Sequence, residues 1–149
     1  MEAYRHILLA ADFSEHGDRV AARAADLARQ YEAELSICHA VDSLPIAESV
    51  YGPIIPFDGD LTAELVAAAE KRLAIIGNNY AIPEDRQWVV IGSPKTEILA
   101  LAEENSADLI VVGSHGRHGL ELLLGSTASS VLHHAKCDVM AVRLIDSEV

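Results

Sequence analysis

The chain has 149 residues, half of them hydrophobic, a formal net charge of −12 and two cysteines. That length and composition suit one domain, residues 1–149, with its own packed core, and argue against global disorder. The charge argues against a nucleic-acid backbone or an anionic lipid surface as a partner, since both require a basic face.

A small polyanion stays open, because backbone dipoles can hold one locally even in a repulsive global field. No apolar run reaches the ~18–20 residues of a membrane span. The start, Met1-Glu2-Ala3-Tyr4-Arg5, has no cationic segment leading into an apolar stretch and does not read as a secretory signal. A cytoplasmic location is expected. Cys38 and Cys137 sit in apolar segments that read as strands, with no Cys-x-x-Cys spacing, so two buried reduced thiols are expected.

Apolar runs alternate with segments of helical period. The run from His6 to Ala11 reads as a first strand. Ser14 to Tyr31 reads as a helix capped by Ser14, with Val20, Ala21, Ala24, Leu27, Ala28 and Tyr31 on one face. Glu34 to Val41 is a second strand. Ser43 to Phe57 holds three prolines and a glycine among apolar residues, and reads as a long connection, either a surface loop or a lid or partner surface.

Asp58 or Asp60 is then expected to cap a helix bearing Leu61, Leu65, Ala69, Leu73, Ile76 and Tyr80. Gln87 to Ile91 is a third strand. Ser93 caps the next helix, Pro94 opens it, and it runs to about Asn105. Leu109 to Val112 is a fourth strand. A glycine-bearing loop follows, and Ser126 is expected to cap a helix with Ala128, Val131, Leu132 and Ala135 inward. Val139 to Leu144 is a fifth strand. Short, Val/Ile/Leu-rich, non-alternating strands separated by helices predict an α/β doubly wound parallel sheet, its strands buried on both faces.

The strongest chemical signal is Val112-Gly113-Ser114-His115-Gly116, then Gly119, then Gly125-Ser126-Thr127. It runs from the carboxyl end of a strand to a helix amino terminus, where such sheets bind ligands. Glycines allow backbone N–H groups to approach phosphate oxygens closely. A helix start offers free N–H groups and a positive dipole, and Ser126 and Thr127 add hydroxyls. The same residues also fit a plain turn ending in a capped helix. Asp12, at the end of the first strand, suits ribose hydroxyls or a phosphate-bridging magnesium ion, and equally suits a bond to the next helix's first turn.

The stretch from Tyr4 to Ser14 (YRHILLAADFS), His39 to Asp42 (HAVD), Ile91-Gly92-Ser93-Pro94, Asp108 to Arg117 (DLIVVGSHGR) and LLLGSTASSVLHHAKCDVMAVRL resemble the universal stress protein family across nearly the whole chain. The resemblance implies a five-stranded sheet of order 3-2-1-4-5, with the first and fourth strands side by side. It implies an adenine nucleotide as ligand (ATP, ADP or AMP), with magnesium near Asp12. Ala11 and Asp12 would then lie by ribose and adenine, Ala40 would border the base, and Val112 would meet adenine or ribose through its backbone. Gly113, His115, Gly116, Gly125, Ser126 and Thr127 would surround the phosphates. ATP-binding members carry Gly-x2-Gly-x9-Gly-Ser/Thr. Here eight residues separate Gly116 from Gly125, so the loop is one residue short. The resemblance also implies a homodimer through the last strand, between Cys137 and Leu144, whose edge offers unpaired backbone groups.

The expected function is nucleotide binding in a regulatory stress-response protein. The alternative is a homodimer that acts through protein contacts alone. No activated nucleophile, acid–base pair or Gly-x-Ser-x-Gly elbow is legible, so at most slow ATP hydrolysis is expected, with no catalytic residue. His115, His118, His133 and His134 lack a metal-site spacing, and His133 and His134 read as favourable at a helix end. His39 reads as a hydrogen-bonded core histidine.

Overall fold

The computed structural model describes residues 3–42, 59–114 and 125–144. Its elements run β1 (His6–Ala10), α1 (Gly17–Tyr31), β2 (Glu34–Val41), α2 (Gly59–Tyr80), a 3-10 turn (Glu84–Arg86), β3 (Gln87–Ile91), α3 (Pro94–Glu104), β4 (Leu109–Gly113), α4 (Ser126–His134) and β5 (Asp138–Val142). The five strands form one parallel sheet of order β3-β2-β1-β4-β5. The doubly wound α/β fold and its order are as expected, and β1 lies between β2 and β4.

Two cores flank the sheet, divided by the two-residue alternation of strand side chains. On one face Ile7, Leu9, Ile37, Leu109 and Val111 pack against Val20, Ala21, Ala24, Ala25 and Ala28 of α1 and Leu73 of α2. On the other, Leu8, Cys38, Ile110 and Val112 pack against Ile98 and Ala102 of α3 and Ala128 and Val131 of α4. Burying each large aliphatic side chain contributes about 1.5–3 kcal/mol. The central strands, packed on both faces, therefore form a rigid floor for whatever sits at their ends.

Several local expectations differ. The edge strands β3 and β5 are half-buried, because each has a neighbour on one side only. β5 runs from Asp138, so Cys137 precedes it and is only half-buried. Ser14 does not cap α1. The helix starts at Gly17 with His16 at its cap, and Ser14 belongs to the preceding turn. Asp60 lies inside α2, whose start at Gly59 leaves Asp58 outside the described residues. Leu61 and Leu65 of α2 and Leu132 of α4 are exposed rather than inward. Residues 43–57, with the lid-or-surface question they carry, lie outside the described residues.

At the far end of α4 the expectation holds: His134 Nδ1 donates to the Ser130 carbonyl oxygen at 2.9 Å in the helix's last turn. Ser93 caps α3 through its carbonyl, which accepts from Thr96 and Glu97 N–H, with Pro94 at the first turn.

Candidate functional site at the strand ends

The ends of β1, β2 and β4 open into a crevice of about 1060 Å³. It is lined from β1 and its turn by Ala11, Asp12, Phe13 and Ser14, from β2 by His39 and Ala40, and from β4 by Val112 and Gly113. Gly125, Ser126 and Thr127 close it from α4. Eight of the ten expected site residues thus meet in one place. His115 and Gly116 lie outside the described residues.

The β1 side is built by an irregular turn. Ala11 N–H donates to the Cys38 carbonyl at 2.8 Å, which prolongs the ladder by one residue. Asp12 is exposed just beyond, and its Oδ1 accepts from Ser14 N–H at 2.9 Å. Phe13 between them has φ 61°, a left-handed conformation rare for an aromatic residue. Among the described residues, Ser14 Oγ is buried at the crevice wall without a hydrogen-bond partner. An orphaned buried hydroxyl is costly and marks a place where a polar group would be satisfied.

The β4 side is tied by Ser114, a member of the glycine motif of which no separate role was expected. Its N–H donates to Val142 O at 2.8 Å, and its carbonyl accepts from Gly125 N–H at 2.7 Å. Its hydroxyl accepts from Leu144 N–H at 3.0 Å. One serine therefore joins the ends of β4 and β5 and pulls the start of α4 against them.

Gly125, not Ser126, is the N-cap of α4, with φ −62° and ψ 157°. Its carbonyl accepts from Ser129 N–H at 2.8 Å, the first helical bond. That bond leaves the N–H groups of Ser126, Thr127 and Ala128 ahead of the ladder, and among the described residues the helix has no side-chain cap bond. Gly125 supplies no hydroxyl for the cap, and Ser126 and Thr127 stand on the first turn beside the crevice. The arrangement suits an anion.

The opposite wall was only partly legible in sequence: Ala40, Val112 and a hydrogen-bonded His39 were expected, but the place of His39 on the crevice was not. His39 is half-buried and reaches the crevice, where its Nδ1 lies 2.7 Å from the Ala11 carbonyl oxygen. A carbonyl only accepts, so Nδ1 carries the hydrogen. The imidazole stacks on Phe13 at 4.1 Å between centroids, and Arg72 Cζ of α2 lies 4.4 Å from the Phe13 centroid. Phe13 follows Asp12 directly and could have been suspected. Nothing local marked Arg72, sixty positions after Asp12. On the α3 side, Pro94 and Ile98 complete an apolar wall beside Ala40 and Val112.

Among the described residues no group of three or more His, Cys, Asp or Glu side chains converges as a metal site. The acidic residues on the crevice, Asp12, Glu15 and Asp42, form no such group. Cys38 beneath the floor is fully buried, and burial pushes its thiol up to about 12, so it is an inert packing residue.

Comparison with known proteins agrees with this architecture. Residues 3–143 match the universal stress protein family. The chain is 41% identical over 145 residues to universal stress protein A homolog 2 of Coxiella burnetii, covering 97% of this chain and 98% of that one. It is 40% identical over 141 residues to homolog 1 of the same organism, covering 93% and 96%. Among solved structures, hypothetical protein MJ0577 superposes with a TM-score of 0.81 at 28% identity, covering 98% of this chain and all of that one. A universal stress protein crystallised in complex with cAMP superposes with a TM-score of 0.64 at 26% identity, covering 95% and 98%. The sheet order, the glycine-flanked crevice and these matches agree, and the chain belongs to the universal stress protein family.

Proposed function

We propose that this chain binds an adenine nucleotide in the strand-end crevice and acts as a regulatory binding module in the stress response, with the cytoplasm as its site of action. The observation that carries this reading is the meeting of Asp12, Gly113 and the uncapped first turn of α4 around one crevice. Its size suits a ligand of nucleotide class. The leading amides and hydroxyls of Ser126 and Thr127 would take phosphate, as helix N-termini do. The apolar wall of Ala40, Val112, Pro94 and Ile98 would take the base, and Asp12 a ribose hydroxyl. The family member solved with cAMP lends support.

A magnesium ion would arrive with the phosphates. Asp12 offers one carboxylate, and phosphate and water oxygens would complete the shell, as is usual for this ion. The residues present fit such a guest. ATP is the first nucleotide to test, ahead of ADP and AMP.

The decisive experiment is calorimetric titration with ATP and magnesium, alongside Ser126→Asp. A carboxylate on the first turn of α4 favours the helix and repels a phosphate. Micromolar binding that the variant loses, at equal or higher thermal stability, supports the reading. Absence of binding in the natural chain overturns it and leaves action through protein contacts.

Among the described residues the outer edge of β5 ends the sheet, with Val139, Met140 and Ala141 half-buried along it. An unpaired edge with apolar side chains favours pairing with a second copy. A homodimer through Cys137 to Leu144, able to present a surface to a regulatory partner, belongs to the same proposal. Sedimentation equilibrium showing a monomer at micromolar concentration would remove it.

A further inference from the structure

Among the described residues four non-glycine residues have positive φ: Phe13, Glu32, Ala81 and Ser106. Glu32, Ala81 and Ser106 follow the ends of α1, α2 and α3, where a left-handed residue commonly terminates a helix. Phe13 does not. It lies between a strand and a helix, carries a bulky ring, and sits beside the residue with the strongest claim to ligand contact. Its backbone therefore has to be held by its surroundings.

The holding group is His39. Its imidazole lies on the Phe13 ring at 29° between planes, and its Nδ1–H is bonded to the Ala11 carbonyl. One side chain of β2 thus grips the residues on both sides of Asp12. A six-membered ring has room for one stacked plane on each face, so the Arg72 guanidinium closes the sandwich from α2. The Asp12 carboxylate itself is held by the Ser14 N–H, one residue beyond the clamp. Its direction is set by the two peptide units that flank it, and both belong to the clamped turn.

We propose that Phe13 and His39 are positioning residues that aim the Asp12 carboxylate at a ribose hydroxyl, so that the clamp, and not the carboxylate alone, makes the site prefer ribonucleotides to deoxyribonucleotides. This rests on the nucleotide reading above. It extends that reading from what the site binds to how it tells two sugars apart. A contact made by a charged acceptor loses discrimination when it is free to swing, which is why a supporting shell matters.

The test is the ratio of dissociation constants for dATP and ATP, measured by calorimetry with magnesium, with thermal stability followed in parallel. Phe13→Gly removes the ring while keeping a residue at ease in the left-handed region, so the fold is not the quantity under test. His39→Ala removes the other half of the clamp by an independent route, and Phe13→Tyr keeps the stack. The natural chain is expected to prefer ATP by about tenfold, the effect of one hydrogen bond to a charged group. Phe13→Gly and His39→Ala are expected to bring the ratio within about twofold of unity, and Phe13→Tyr to restore it, in line with that single contact.

Variants that weaken both nucleotides equally and keep the ratio would show a structural role only, and overturn the inference. So would an Asp12→Asn chain that loses the ratio while Phe13→Gly and His39→Ala retain it; the nucleotide reading would then stand. Equal affinity for ATP and dATP in the natural chain would refute the ribose contact while leaving nucleotide binding intact. A natural chain that binds neither would remove both proposals together.

Discussion

Asp12 Oδ1 accepts the Ser14 N–H at 2.9 Å, within a turn that carries both residues to the rim of the crevice. Asparagine keeps an acceptor for that N–H and loses the charge. Asp12→Asn should weaken ATP binding by about tenfold, from loss of a charge-assisted contact, with little change in melting temperature. Calorimetry beside a thermal scan checks both halves. Unchanged affinity would remove Asp12 from the site.

Gly77 lies inside α2 and against β3. A Cβ there would stand 2.1 Å from Gln87 Nε2 and 3.0 Å from the Ile82 carbonyl oxygen. Gln87 Nε2 also donates to that same carbonyl at 2.9 Å. Alanine in a helix interior ordinarily gains about 1 kcal/mol over glycine. Here the methyl displaces a bonded side chain and crowds backbone, so Gly77→Ala should destabilise by about 1–2 kcal/mol. Urea unfolding would detect it, and a stabilised variant would contradict the packing.

The two thiols should behave differently. Cys38 is buried and pushed up to about 12, whereas Cys137 is half-buried and raised by burial and by Asp138 and Asp108. A disulfide reagent at about pH 8 should modify Cys137 slowly and Cys38 only as the protein unfolds, since thiolate fraction and access both govern the rate. Simultaneous rapid modification of both would mean the sheet opens readily.

Tyr4 donates to Asp138 at 2.7 Å and Tyr80 to Asp18 at 2.6 Å, and each phenol is raised from 10.0 to about 12, chiefly by that bond. The folded state holds these protons more tightly than the unfolded chain. Their contribution is therefore complete below pH 10 and is lost between 10 and about 12. Melting temperature should fall across that window. The fall should be shallower in a Tyr4→Phe/Tyr80→Phe chain, which a pH series of thermal scans would show.

Much of the fold was legible because strand and helix periods are local properties. The run Leu109-Ile110-Val111-Val112 announces a strand packed on both faces, and Ser93-Pro94 announces a helix start. Boundaries were less legible. Ser14 has the chemistry of a cap, yet a left-handed Phe13 displaces the helix start to Gly17. Gly125 takes the cap of α4 because Ser114 fixes its N–H, a tie between residues eleven positions apart.

The site divides in the same way. Asp12, Gly113 and Gly125-Ser126-Thr127 were legible because each stands next to a strand end or a helix start, and chemistry at such points follows from the backbone alone. The sequence by itself determined a parallel α/β sheet with Asp12 and a glycine-and-hydroxyl motif at the carboxyl ends of its first and fourth strands. Only the tertiary structure decided which side chains face that end from elsewhere: His39 on Ala11 and Phe13, and Arg72 over the ring. Those contacts join three elements far apart in the chain, and their geometry depends on how the sheet and α2 pack, which no local period encodes.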